Sequence, residues 1–313
     1  MKLTRGSLAT AVVWPGIRIV RAFFEARPAV TPPPHISEIR QQVRAWPTVA
    51  IDVESAPAAT LSIYGPLDCH KHAVLLWIHG GGFIANSAAS VADFAAMIAG
   101  NGYVVASLDY TLAPTARYPV PIRQGNAALS YLASRIADYG GDPTRIFLGG
   151  DSAGAQIASQ LAAVQTNPAL ARRISLRPAL HNRQLCGIVL YCGLYDMRTV
   201  EASRFPALRT CLWAYTGHRD WLRAPFIDEL STTQHLTPDY PPTFITVGDM
   251  DPFERQGKEI ADALAAQGVP ADALFWTDSG DGLGHEYQFD YRLPQAQRAF
   301  QCTLRFLERN AER

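Results

Sequence analysis

Residues 146–162 read IFLGGDSAGAQIASQLA. An apolar run ends in two glycines, Asp151, Ser152, Ala153 and Gly154 follow, and a small-residue helical pattern continues beyond them. A strand that turns at once into a helix around a single serine can be a packing joint, a phosphate cradle or a corner that lifts a hydroxyl into a cleft. The residue types exclude the cradle. GGDSAG lacks both the Lys-Ser/Thr ending of a P-loop and the G-x-G-x-x-G order of a dinucleotide turn, and the Asp151 carboxylate would repel phosphate. What remains matches G-x-S-x-G at a strand-to-helix turn. There the serine takes a strained backbone conformation, and small neighbours two residues away let strand and helix approach closely. The hydroxyl then stands at a helix N-terminus, where the dipole favours developing negative charge.

Outward from this corner, apolar strand runs alternate with helical patterns. AVLLWIHG (73–80), GYVVASLDY (102–110), RIFLGG (145–150), LCGIVLYCG (185–193), PTFITVGD (242–249) and ADALFWT (271–277) read as strands. Helical patterns cover 90–101, 126–140, 152–165, 253–268 and 294–309. This alternation predicts an α/β fold with a mostly parallel central sheet and helices on both faces. Residues 196–235 carry no strand pattern and read as a helical insertion within one domain.

The start, MKLTRGSLATAVVWPGIRIVRAFFEARPA, superficially resembles a secretory signal, but Pro15-Gly16 interrupts it and Arg18 and Arg21 follow. From Ile17, the residues Ile17, Ile19, Val20, Phe23 and Phe24 share one arc, with Arg18, Arg21 and Glu25 opposite. That predicts an amphipathic helix covering the body of the protein, with membrane-surface contact as the lesser reading. TPPPH (31–35) follows as a stiff linker. Lys+Arg and Asp+Glu are both 28, so nothing asks for nucleic acid, whose binding needs a basic face. The neutral balance points to uncharged substrates. Five scattered cysteines without CxxC spacing fit reduced thiols in a cytoplasmic protein.

A serine hydroxyl needs a base, and the base needs an acid to orient it. Of eight histidines, His285 stands out, in the glycine-rich loop SGDGLGHEYQF after the final strand. FITVGDMDPF, after the preceding strand, offers Asp249 and Asp251 as the acid. Either would hold the imidazole tautomer facing Ser152, and both could instead be ordinary turn carboxylates. The order Ser, Asp, His along the chain is that of an α/β-hydrolase. His79-Gly80-Gly81-Gly82-Phe83, directly after a strand, lets backbone N–H groups converge as an oxyanion requires. His79 itself reads as an organiser of that loop.

Jointly these motifs resemble the hormone-sensitive-lipase-like branch of the α/β-hydrolase esterases. The matching residues are His79–Phe83, Asp109-Tyr110 with Leu112-Ala113-Pro114, Gly150–Gly154, Tyr240-Pro241-Pro242, Asp251-Pro252 and His285. The resemblance implies Ser152 as nucleophile, His285 as base and Asp251 as orienting acid, with an oxyanion hole from the N–H groups of Gly81, Gly82 and Ala153. It implies a catalytic core of residues 46–195 and 236–313, and a helical cap from residues 1–45 and the 196–235 insertion. The activity it implies is hydrolysis of short to medium acyl esters through an acyl-enzyme. The partner is a small-molecule ester, and no metal or cofactor is called for. Cleavage of an amide such as an aryl formamide, ligand binding without turnover, and a homodimer stay open. The sequence departs from the family at Phe253-Glu254-Arg255 and at Glu286-Tyr287 after His285, where the family often has Gly-Phe.

Overall fold

The computed structural model describes residues 16–26, 28–181 and 183–312. Its N-terminal part is helical over 16–25 (α1), followed by α2 (Ile36–Gln41), β1 (Val43–Ala45), β2 (Val49–Ile51), β3 (Ala59–Pro66) and β4 (His72–Ile78). Next come α3 (Ala92–Ala99), β5 (Val104–Asp109), α4 (Val120–Arg135), β6 (Gly141–Asp151), α5 (Ala153–Thr166), α6 (Pro168–Arg173) and β7 (Leu185–Tyr191). The chain closes with α7 (Leu208–Thr216), β8 (Thr243–Val247), α8 (Glu254–Ala266), β9 (Ala271–Phe275) and α9 (Pro294–Ala311).

The strands form one sheet in the order β1-β3-β5-β4-β6-β7-β8-β9, with β2 also pairing with β3. From β5 to β9 every neighbouring pair is parallel, while β3 runs antiparallel to β1, β2 and β5. Side-chain alternation explains why both faces are covered. In β4, Val74, Leu76 and Ile78 join the core under α4 and α5, whereas Ala73, Leu75 and Trp77 join the core under α3 and α9. A strand buried on both sides has no polar face to show water, hence the uninterrupted apolar runs in the sequence.

The parallel strands and their helices lie where the sequence places them, with shifted ends. Helix α4 begins at Val120 rather than near 126, because Pro121 sits in the first turn, where its missing N–H is not needed. The antiparallel edge β1–β3 had no sequence-based expectation. In β3 buried and half-exposed residues alternate, as expected of a strand covered on one face.

The N-terminal helix differs from expectation. Ile17 is buried and Val20 and Phe24 pack on the core, but Ile19 and Phe23 are exposed, at 72% and 65%. Arg21 turns inward instead of facing solvent, and its guanidinium donates to the carbonyls of Ile84 (2.5 Å) and Ala113 (3.4 Å). A guanidinium that satisfies two loop carbonyls takes the place expected of an apolar residue. The expected apolar arc therefore splits, with the 17/20/24 stripe inside and the 19/23 stripe outside. The stretch 1–15, including the signal-like run, lies outside the described residues. The proline segment is tied down, since Thr31 N–H donates to Phe289 O (2.8 Å) and Tyr291 N–H to Thr31 O (3.0 Å). Residues 196–235 hold α7 and short 3-10 turns and no strand. No helix among the described residues is long and apolar enough to cross a membrane.

Candidate active site

Ser152 sits between β6 and α5 with φ 52° and ψ −117°. A non-glycine residue there carries roughly 1–3 kcal/mol of strain, so the surroundings must hold it. They do so by leaving no room. A Cβ on Gly154 would lie 1.9 Å from Ile78 O and 2.6 Å from His79 O, and one on Gly150 would lie 2.5 Å from Gly154 C. Strand end, serine turn and helix start are thus in backbone contact, and the glycines flanking Ser152 are steric necessities. Ser152 N–H donates to Tyr191 O at 2.9 Å, fixing the turn to the next strand.

His285 arrives from the loop after β9. Its Nε2 lies 2.9 Å from Ser152 Oγ, and its Nδ1 lies 2.9 and 3.1 Å from the two carboxylate oxygens of Asp251. Asp251 fixes the proton on Nδ1, which leaves Nε2 free to accept from the serine hydroxyl. Burial lowers the basicity of His285, but the Asp251 charge beside it outweighs this and holds the imidazole well above the usual histidine range. Phe253 N–H donates to Asp251 Oδ1 at 2.8 Å. Phe205 and Phe253 present ring contacts to the imidazole with centroids 4.9 and 5.3 Å away.

The structure brings Asp251, not Asp249, to His285. Asp249 instead clamps the histidine loop, accepting from the N–H groups of Leu283 (2.6 Å) and Gly282 (3.3 Å) and from Ser279 Oγ (3.0 Å). Desolvation would raise its carboxyl, but these donors pull it below the usual carboxylate range. Two acids two residues apart therefore do different work, one on the ring and one on the loop.

The glycine loop after β4 is braced from beneath. Asp151 Oδ2 accepts from Gly80 N–H at 2.8 Å and Oδ1 from Trp77 Nε1 at 2.9 Å. Burial, and then the negative charge of Glu286, push the Asp151 carboxyl up, against the Trp77 and Gly80 donors that pull it down. His79 is buried and stacked on Tyr110 at 4.5 Å, with Nδ1 2.8 Å from Gly80 O, the geometry of a loop organiser. Ala113 N–H donates to Phe83 O at 2.9 Å, so the segment after β5 props the same loop. Gly81 and Gly82 have φ of 104° and 60°, values that favour glycine. Among the described residues, the N–H groups of Gly81, Gly82 and Ala153 are engaged by no hydrogen bond. Gly81 and Gly82 line the same cleft as Ser152 and His285.

That cleft has a volume of about 490 Å3 and receives Phe23, Phe24, Phe205, Glu286 and Phe289 at its walls. Sequence reasoning did not place Phe23 and Phe24 there, because their arrival depends on how α1 docks. Cys192 was missed as well. Its thiol lies beside Asp251 and His285, with the donor atoms of all three within 4.8 Å of one another. Burial pushes the Cys192 thiol up to about 12. It stays protonated and so is a poor metal ligand, while the other two donors are engaged with each other.

A mostly parallel sheet with a strained serine at a strand-to-helix elbow, and a histidine and acid delivered from later strand ends, defines an α/β-hydrolase. The family model described as "alpha/beta hydrolase fold" matches residues 75–287, and the chain belongs to that family. It is 30% identical over 259 residues to Esterase LipI of Mycobacterium tuberculosis, covering 76% of this chain and 78% of that one. It is 29% identical over 228 residues to an acetyl esterase of Salmonella schwarzengrund, covering 68% of this chain and 65% of that protein. Among solved structures, esterase B from Lactobacillus rhamnosis superposes with a TM-score of 0.80 at 20% identity, covering 99% and 97% of the two chains.

Proposed function

We propose that the protein is a serine carboxylesterase that hydrolyses short to medium acyl esters through an acyl-enzyme. Ser152 Oγ attacks the ester carbonyl while His285 Nε2 takes its proton. The tetrahedral oxyanion is held by the N–H groups of Gly81, Gly82 and Ala153. As the intermediate collapses, His285 returns the proton to the leaving alcohol, and the acyl group remains on Ser152. Water, deprotonated by the same nitrogen, then releases the acid and restores the serine. Asp251 keeps the imidazole oriented and stabilises its protonated form without taking the proton.

The observation that carries this reading is the unbroken chain from Ser152 Oγ through His285 to Asp251, both links at 2.9 Å, beneath an aromatic-walled cleft. Residues 16–45 and 196–235 serve as a helical cap over that cleft in this reading, since Phe23, Phe24, Phe205 and Pro206 come from them. A p-nitrophenyl ester series of increasing chain length, run with the unaltered protein and with Ser152→Ala, tests the assignment. Turnover that is lost in the variant, together with fluorophosphonate labelling of Ser152, is expected. No turnover on any ester and no labelling would overturn it. We also place the enzyme in the cytoplasm, on the basis of five free cysteines. Thiol titration of the denatured protein, purified without reductant, should count five, and a lower count would argue for an oxidising compartment.

A further inference from the structure

Next to the base, at the position where the sequence departs from its family, stands Glu286. Its carboxylate oxygen Oε1 lies 3.9 Å from His285 Nε2, and the side chain is 25% exposed and lines the cleft. The residue sits in the left-handed region at φ 62°, and its carboxylate lies between the histidine loop and the glycine loop. A Cβ on Gly80 would lie 3.0 Å from the same Oε1. Among the described residues, Glu286 has no arginine or lysine partner, and His285 is the one basic side chain lining the cleft. The other carboxylate at the wall, Asp290, is held by Arg292 through two 2.7 Å bonds.

For hydrolysis of a neutral ester this placement cuts both ways, because a carboxylate 3.9 Å from Nε2 favours the imidazolium but not the oxyanion. Negative charge develops on the oxyanion at the glycine loop, and a carboxylate nearby opposes it. A substrate carrying positive charge offsets that opposition. The cleft is also suited to receive one, since Phe23, Phe24 and Phe205 stand around the same space and aromatic faces attract cations.

We propose that Glu286 selects esters whose alcohol portion carries a positive charge, such as amino-alcohol or quaternary-ammonium alcohol esters. The inference rests on the serine-esterase reading above. The alcohol side is assigned by the proton path. The leaving oxygen must come within hydrogen-bond reach of Nε2 to receive its proton, and Oε1 lies 3.9 Å from that nitrogen. A cation two carbons beyond the leaving oxygen then meets the carboxylate. The zero net charge of the chain gives no hint of this, because selectivity follows the local field of the cleft.

The test compares 2-(trimethylammonio)ethyl acetate with its uncharged isostere 3,3-dimethylbutyl acetate, in the unaltered protein and in Glu286→Gln. The expected kcat/KM ratio is about tenfold in favour of the cation in the unaltered protein, the size of a partly desolvated cation–aromatic and charge contact. It should fall severalfold in Glu286→Gln, to what the aromatic walls alone contribute. A glycyl ester of a neutral alcohol, with the charge on the acyl side, should show no such preference over its neutral counterpart. A ratio of one or below in the unaltered protein, a ratio kept by Glu286→Gln, or a preference confined to the glycyl ester overturns the proposal. Should Glu286→Gln not fold, salt decides, because the unaltered protein's ratio should shrink as salt is added, and a flat ratio overturns it. Hydrolysis of the isostere and fluorophosphonate labelling monitor the esterase reading separately, so its failure would be recognised as such.

Discussion

Replacing Gly154 with alanine adds a single methyl group where, among the described glycines, the least room is left. The new Cβ would stand 1.9 Å from Ile78 O and 2.6 Å from His79 O, whereas real Cβ atoms essentially never come closer than 3.0 Å. Both obstructing atoms are backbone, and one belongs to β4, in the middle of the sheet, so neither can rotate away. The start of α5 must retreat by about 1 Å, and a displacement of that size at reacting atoms costs on the order of a hundredfold in rate. Forced overpacking costs about 1–3 kcal/mol, and the upper end is expected because no flexible side chain absorbs the strain. The control is Gly268→Ala, at φ 70° with nothing within 4 Å of the added carbon. It should lose about 1 kcal/mol from left-handed strain and keep its turnover. The assay is p-nitrophenyl acetate hydrolysis together with urea unfolding of both variants. If Gly154→Ala retains turnover within threefold and stability within about 0.5 kcal/mol, the steric account of the serine turn is wrong.

The other expectations concern the acids and the base. Asp251→Asn should lower kcat by roughly three to four orders of magnitude, as loss of the orienting carboxylate does in related triads. Asp249→Asn should act more mildly and mainly by loosening the His285 loop; equal losses in initial-rate assays would contradict the division of labour between them. Because the Asp251 charge outweighs burial and holds His285 well above the usual range, the neutral imidazole needed for attack forms only as pH rises. kcat/KM should therefore still be climbing above pH 6.5, and a profile already flat at pH 6 would refute this. Asp151→Ala leaves the Trp77 Nε1–H and Gly80 N–H without their acceptor. Two buried orphan donors predict a loss of about 2–5 kcal/mol in urea titrations, and an unchanged midpoint would count against it.

The sequence made the strongest local constraints readable. Gly150 and Gly154 around Ser152, and the three glycines after His79, mark places where backbone must approach backbone, and no other residue type fits. The runs in β4 to β9 were legible because strands covered on both faces leave no polar positions. Strand β3 was not, since Thr60, Ser62 and Tyr64 break its apolar character on the half-exposed face and the alternation spans one short element. The two stripes of α1 have the same helical spacing, and which one turns inward depends on the carbonyls of Ile84 and Ala113, distant in sequence. The separate tasks of Asp249 and Asp251 depend on how the 276–286 loop folds back, which no spacing rule encodes. Glu286 was visible only as a departure from the family pattern, and its nearness to Nε2 required coordinates.

The clamp on the histidine loop bears on how the protein inactivates. Leu283 is held from both sides, its N–H by Asp249 Oδ1 and its carbonyl by Met250 N–H at 3.0 Å. A Cβ on Gly248 would lie 2.1 Å from that same carbonyl, so the loop is seated against the exit of β8 with no slack. Asp251, one residue beyond Met250, shares this anchorage, so the proposed base and acid are fastened to the same strand end. On heating, this end of the loop should hold for as long as the exit of β8 does. Loss of activity and loss of fold should then coincide, and an activity midpoint below the unfolding midpoint would show that the loop frays first.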